Sequence, residues 1–327
     1  MIANRFKPNN RVLTIFLLFG LTACPALRAS PLESSIISMF PKDVTQLKYA
    51  DLSGSRQFTW FPQFQAQVVP DEILGFEQFL ENTQVQQTPA IDQVAWARVS
   101  ISGSAQLVAV GEGQFEIEAI KMFLDSRGVS PVAVGSYEMY AAQLDLGMAD
   151  GYFALIDNTT VAFGPLEGLR RVLELRGQQQ ANLSGNAGMI NLINQVNGQA
   201  VFWSVLEAAE AGTAVQHLLP EMMKFPQASE PVGKLKEMLI SLSASEDIKF
   251  DFKLGSGSSK DAVMLSQLLE ASTLSKRYES GQTNPELAKV LDGMVVTPAG
   301  KELDVQLTVT NDQMQSLADS NSFRLLM

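Results

Sequence analysis

The most reactive side chain in the sequence is Cys24, the single cysteine of the 327 residues. It closes the run Leu21-Thr22-Ala23-Cys24. Small residues ahead of a cysteine suit a cleavage site, and a thiolate is the nucleophile that a covalent attachment needs. The segment before it, Val12 to Ala23, is an apolar run of 12 residues without a charge, preceded by Arg5, Lys7 and Arg11. A membrane-spanning helix needs about 20 apolar residues. A shorter run behind a basic start is the pattern of a secretory leader. Residues 1–23 are therefore expected to be a signal peptide.

The tetrad ending at Cys24 resembles a bacterial lipobox. That resemblance implies a cut before Cys24 and a diacylglycerol on its sulfur, leaving a body tethered at its N-terminus. Leu27-Arg28-Ala29 offers a rival site, with cleavage after Ala29. Cutting before Cys24 leaves 21 basic against 35 acidic residues, a net charge of −14. Such a body is repelled by an anionic bilayer, so the lipid would have to hold it there.

Other chemistry-bearing residues have plainer readings. Gly255-Ser256-Gly257-Ser258-Ser259-Lys260 lies between a strand and a helix, where a phosphate loop would lie, but lacks the P-loop spacing. Ser258 is expected to cap the helix, with Asp261 completing a capping box. Gly111-Glu112-Gly113 is read likewise as a turn. His217, the one histidine, has no second imidazole or HExxH partner and is read as a partly buried structural residue. One Cys and one His form no zinc site of the usual kind, and no cofactor or metal is expected. Asp145, Asp150 and Asp157 lie on expected loops without EF-hand spacing. Asn158-Thr159-Thr160 and Asn182-Leu183-Ser184 fit glycosylation sequons. The densest aromatic cluster runs from Phe58 to Phe64 (FTWFPQF). With Pro62 breaking any helix, Trp60, Phe61 and Phe64 could present a binding surface for peptide, lipid or glycan. Alternatively the rings fold back onto the core.

The elements that must position these residues follow from periodicity. Hydrophobic residues make up 46% and charged residues 18% of the chain, the mixture of a globular protein. A net charge of −11 argues against a nucleic-acid partner. Strands are expected at 47–52, 93–101, 106–110, 132–142, 152–163 (with a bend at Asp157-Asn158), 200–206, 248–254, 294–297 and 303–309. Helices are expected at 64–80, 115–124, 165–176, 187–196, 215–225, 232–242, 263–274, 285–291 and 312–318. VAVG followed by a helix ending Arg127-Gly128 recurs as VAFG followed by a helix ending Arg176-Gly177, a weak internal repeat. Paired strands interrupted by helices favour an α+β fold: antiparallel sheet built from repeated strand–helix–strand units, with helices packed on one face. The polar stretch 178–185 divides an N-terminal lobe, 24–185, from a C-terminal lobe, 186–327, which could be continuous with it.

The pattern resembles uncharacterised exported bacterial proteins. It shares their Pro-led opening, Pro41-Lys42-Asp43 before LKYADL, and their late helix after Thr310-Asn311-Asp312-Gln313. That resemblance carries no catalytic motif. It implies no known activity; the absence of every catalytic signature, with the tether at Cys24, favours a non-enzymatic, membrane-anchored envelope protein, periplasmic or at the outer membrane, binding an unknown protein or small molecule. The alternative is a periplasmic or secreted hydrolase whose loop carboxylates meet in a cleft.

Overall fold

Among the described residues twelve strands carry the architecture: β1 (Gln46–Asp51), β2 (Ile91–Ile101), β3 (Ser104–Gly113), β4 (Val132–Val134), β5 (Tyr137–Ala141), β6 (Gly151–Asp157), β7 (Thr160–Pro165), β8 (Phe202–Glu207), β9 (Glu237–Ala244), β10 (Ile248–Gly255), β11 (Val295–Ala299) and β12 (Glu302–Val309). The computed structural model describes residues 29–85, 90–142, 151–176 and 181–319. Cys24, the leader, Asp145, Asp150 and part of the 178–185 stretch lie outside those residues. The strands form one sheet in the order β11-β12-β10-β9-β8-β1-β2-β3-β7-β6-β5-β4. Each pairing is antiparallel, as the α+β reading requires.

Both faces of this sheet are apolar, so helices cover both rather than one. On one face Val94, Trp96, Phe153, Phe163, Phe202 and Phe250 pack under the helices Phe61–Val68, Asp71–Thr83, Ile117–Ser126 and Asn311–Asp319. Further along the same face, Leu206, Met238, Leu254 and Leu303 pack under Ala208–Leu218 and Ser259–Thr283. The opposite face carries Leu47, Tyr49, Ala95, Ala97, Ala162 and Trp203 beneath Leu166–Leu175 and Ala187–Val196. Its alanines read as a weak stripe in the sequence, yet small side chains are what lets a helix approach a sheet closely.

The element order contains a duplication different from the one expected. From β1 the chain passes through helices to the hairpin β2–β3, then through a helix to the hairpin β6–β7. From β8 it passes through helices to β9–β10, then through helices to β11–β12. In the sheet, β1-β2-β3-β7-β6 runs one way and β8-β9-β10-β12-β11 the other. β1 and β8 pair with Lys48 opposite Ser204, so an approximate two-fold axis normal to the sheet passes there. The hairpin β4–β5 is an addition to the first half. The VAVG/VAFG similarity joins helices on opposite faces, and reflects Gly at strand and helix ends alone.

Several segments depart from their expected state: 132–142 and 152–163, each expected as one strand, are the hairpins β4–β5 and β6–β7, and the helix expected at 64–80 is divided into Phe61–Val68 and Asp71–Thr83. Residues 232–242 were expected as one helix; instead Glu237–Ala244 is the strand β9, with Met238, Ile240, Leu242 and Ala244 alternating onto one face. Ala208–Leu218 is a helix that begins in the small-residue stretch expected to be loose. Gly113 shows how tightly the edges of the layers meet. A Cβ there would lie 1.8 Å from the carbonyl oxygen of Ala90. Gly113→Ala is therefore expected to lower stability by about 1–3 kcal/mol in a denaturant titration, because the obstacle is backbone and cannot rotate away.

Candidate functional site

One row of residues crosses five strands at the end of the sheet where β1 finishes. Asp51 pairs with Gln93, Gln93 with Glu112, Glu112 with Thr160, and Thr160 with Asp157. Polar side chains gather there because the apolar face layers end. At the Asp51 end the chain enters the fold. The Ser30 amide donates to Asp51 Oδ2 at 2.8 Å, and Asp51 Oδ1 accepts from the Gly54 amide at 2.8 Å. Leu32 is held at both backbone groups by Asn197, at 2.7 and 3.0 Å. Ala29 is already buried in the core. Mid-row, Glu112 Oε2 is buried with no hydrogen-bond partner among the described residues. Burial pushes its pKa up, reinforced by the nearby charges of Glu33 and Asp157.

The Asp157 end opens into a cleft of about 470 Å³. Four charged side chains reach it from four elements: Lys121 from the helix Ile117–Ser126, Glu138 from β5, Asp157 from the end of β6, and Arg176 from the end of Leu166–Leu175. They are paired. Lys121 Nζ lies 2.7 Å from Glu138 Oε2, and Arg176 Nη2 lies 3.0 Å from Asp157 Oδ2. The Arg176 guanidinium also sits over the Tyr137 ring, 5.9 Å from its centroid. The Lys121 hydrogen bond, with a second from the Tyr140 hydroxyl, holds the Glu138 carboxyl below its ordinary range. Burial alone would raise Asp157, but hydrogen bonds from Thr159 and Arg176 outweigh it and hold this group down as well. Both carboxylates are thus ionised at neutral pH, and a general acid needs the reverse shift. The arrangement suits recognition of a molecule carrying both signs of charge.

The residues expected from sequence lie elsewhere. Trp60, Phe61 and Phe64 are buried and offer no binding surface. They belong to the helix Phe61–Val68 and the residue before it. Pro62 falls in the first turn, where a helix tolerates proline, so it does not break the helix as expected. Their rings pack on one another and on Phe202 in the sheet. His217 is exposed in the last turn of its helix, not partly buried. Ser258 does cap its helix, accepting from the Asp261 amide at 3.2 Å. Gly111 to Gly113 lie within β3 and make no turn. Asn182, in the second sequon, is buried. Of the three aspartates singled out, Asp157 alone is described, and it is the one in the cleft. Lys121, Glu138 and Arg176 carry no sequence motif. The polar ends Arg176-Gly177 and Asp157-Asn158 were their faint signal.

No family model and no curated protein sequence matches the chain. Its fold is similar to that of TP0453. Crystal form I gives a TM-score of 0.50 at 11% identity, covering 88% of this chain and 97% of that one. Crystal form III gives 0.51 at 10% identity, covering 87% and 97%. At that identity the likeness concerns the fold: an antiparallel α+β architecture shared along nearly the whole of TP0453.

Proposed function

We propose that this chain is a non-enzymatic protein of a bacterial cell envelope, exported by its leader, held to a membrane by a lipid on Cys24, and acting by binding a partner through the polar cleft. The observation that carries the binding role is the pairing of Glu138 and Asp157 with Lys121 and Arg176. Carboxylates locked in ion pairs recognise; they do not shuttle protons near neutral pH. The hydrolase alternative needs one of them to titrate near neutrality. The anchor rests on Leu21 to Cys24 at the end of the apolar run.

Radiolabelled palmitate should enter the wild-type chain in a bacterial host. Cys24→Ala should abolish the label and release the protein from the membrane fraction. One observation favours the rival cut: cleavage after Ala29 would place a new ammonium at Ser30, 2.8 Å from Asp51. Ala29, however, would be lost from the core it helps fill. A mature N-terminus at Ser30 would overturn the anchor.

A further inference from the structure

The cleft and the point where the tether enters the fold lie at the same end of the sheet. Asp51, which holds Ser30, and Asp157, which lines the cleft, are the two ends of a single register row. Four strand spacings separate them, about 19 Å. Only four residues lie between Cys24 and Ala29, so the five Cα steps reach at most about 17 Å. The opposite end of the sheet, marked by the β2–β3 turn at Ser102 and Gly103, lies about 27 Å further along β2 from Gln93. A body anchored at Cys24 therefore turns its cleft end toward the bilayer and its hairpin end away from it.

The chemistry of the cleft is balanced. Among the described residues two cations and two carboxylates line it, with an aromatic ring beneath one guanidinium. An anion alone would leave Glu138 and Asp157 facing like charge, and a cation alone would do the same to Lys121 and Arg176. A molecule holding one charge of each sign replaces both halves of the ion pairs at once. Because these side chains are about a third to a half exposed, they can change partners without a large desolvation cost.

We infer that the cleft takes a zwitterionic amino-phosphate group, and that the headgroup of a zwitterionic phospholipid in the anchoring membrane supplies it. The planar fork of Arg176 and the ammonium of Lys121 hold the phosphate. Glu138, Asp157 and the face of Tyr137 hold the ligand ammonium. Ile117 lies beside the short carbon linker. The lipid source rests on the anchoring proposed above; the cleft chemistry does not.

The test separates the two. The purified full chain is titrated calorimetrically with soluble phosphoethanolamine, ethanolamine, inorganic phosphate and a neutral disaccharide. Phosphoethanolamine should bind at least about tenfold more tightly than the other three, a step of one affinity decade. Arg176→Gln and Glu138→Gln should each weaken it about tenfold, with Lys121→Met as a third variant, all melting like the wild type. Phosphate or the disaccharide binding as well as phosphoethanolamine would overturn the ligand, as would no binding by a folded chain at millimolar concentration. Next, the lipidated chain is placed in phosphatidylethanolamine or phosphatidylglycerol vesicles. Occupancy of the cleft by the first lipid should block soluble phosphoethanolamine, while the second leaves it free to bind. Equal binding in both vesicles would overturn the lipid source. Loss of the palmitate label would instead count against the anchor, and the soluble titration would stand unaffected.

Discussion

Trp60→Ala should lower folding stability by about 3–5 kcal/mol and leave binding at the cleft unchanged. The indole is fully buried. It stacks on Phe58 at 5.1 Å and meets Phe64 edge-on at 5.7 Å, and Phe64 in turn packs on Phe202 of β8 at 5.6 Å. Its Nε1 donates to Asn311 Oδ1 at 3.1 Å, and the Asn311 amide group donates to the carbonyl of Glu246 at 3.0 Å. One side chain thus joins an early helix, the middle of the sheet and the last helix. Alanine would leave a cavity whose walls belong to three elements that cannot collapse together. Trp60→Phe separates the contributions: it keeps most ring contact and loses the N–H, for about 1 kcal/mol plus the missing volume. Urea titrations of the three proteins measure this. An alanine variant as stable as the wild type would show that the ring is not core.

The same tryptophan shows where sequence reading reaches its limit. FTWFPQF leaves a surface patch and a fold-back onto the core both open because proline is taken as a breaker, yet the first turn of a helix has no use for that amide. Ile248 to Leu254 alternates over a full strand and is unambiguous, and the Ser258 cap follows from its spacing to Asp261. Glu237 to Ala244 is harder. Met238, Leu239, Ile240 and Leu242 satisfy a helical stripe and a two-sided strand alike, and only burial on both faces decides. The cleft was invisible for a different reason. Lys121 and Glu138 are 17 positions apart, Asp157 and Arg176 19 apart. They meet because β5, β6 and β7 fold back in sequence against a helix on one face and a helix end on the other. Such pairs leave no local pattern. The tether row is equally hidden, since it exists only in the register of five strands.

Lys48→Met should abolish a gain in stability of about 2–3 kcal/mol that the wild type makes between about pH 7 and about pH 10. Lys48 lies on β1 opposite Ser204, at the approximate two-fold axis, and is buried. Burial, with a smaller push from Arg98 and against a pull from Glu210, lowers its pKa from 10.5 to about 8. The folded state therefore binds this proton less tightly than the unfolded chain. Below about pH 8 both states carry the charge, and the folded protein bears the whole cost of the shift, about 3 kcal/mol. As pH rises from about 8 toward 10.5 the folded lysine loses its proton first, so the wild type gains stability through that window. Methionine has the stem without the charge and should abolish this gain. The wild type therefore gains on the variant by that amount from neutral to alkaline pH. Tyr49 and Tyr140, whose pKa values burial raises, destabilise the fold at high pH in both proteins, and so cancel in the difference. Paired urea titrations at about pH 7 and about pH 10 give the result. A wild type that gains nothing on the variant between the two pH values would mean that the contacts of the ammonium outweigh its burial and hold it charged at the seam between the two halves.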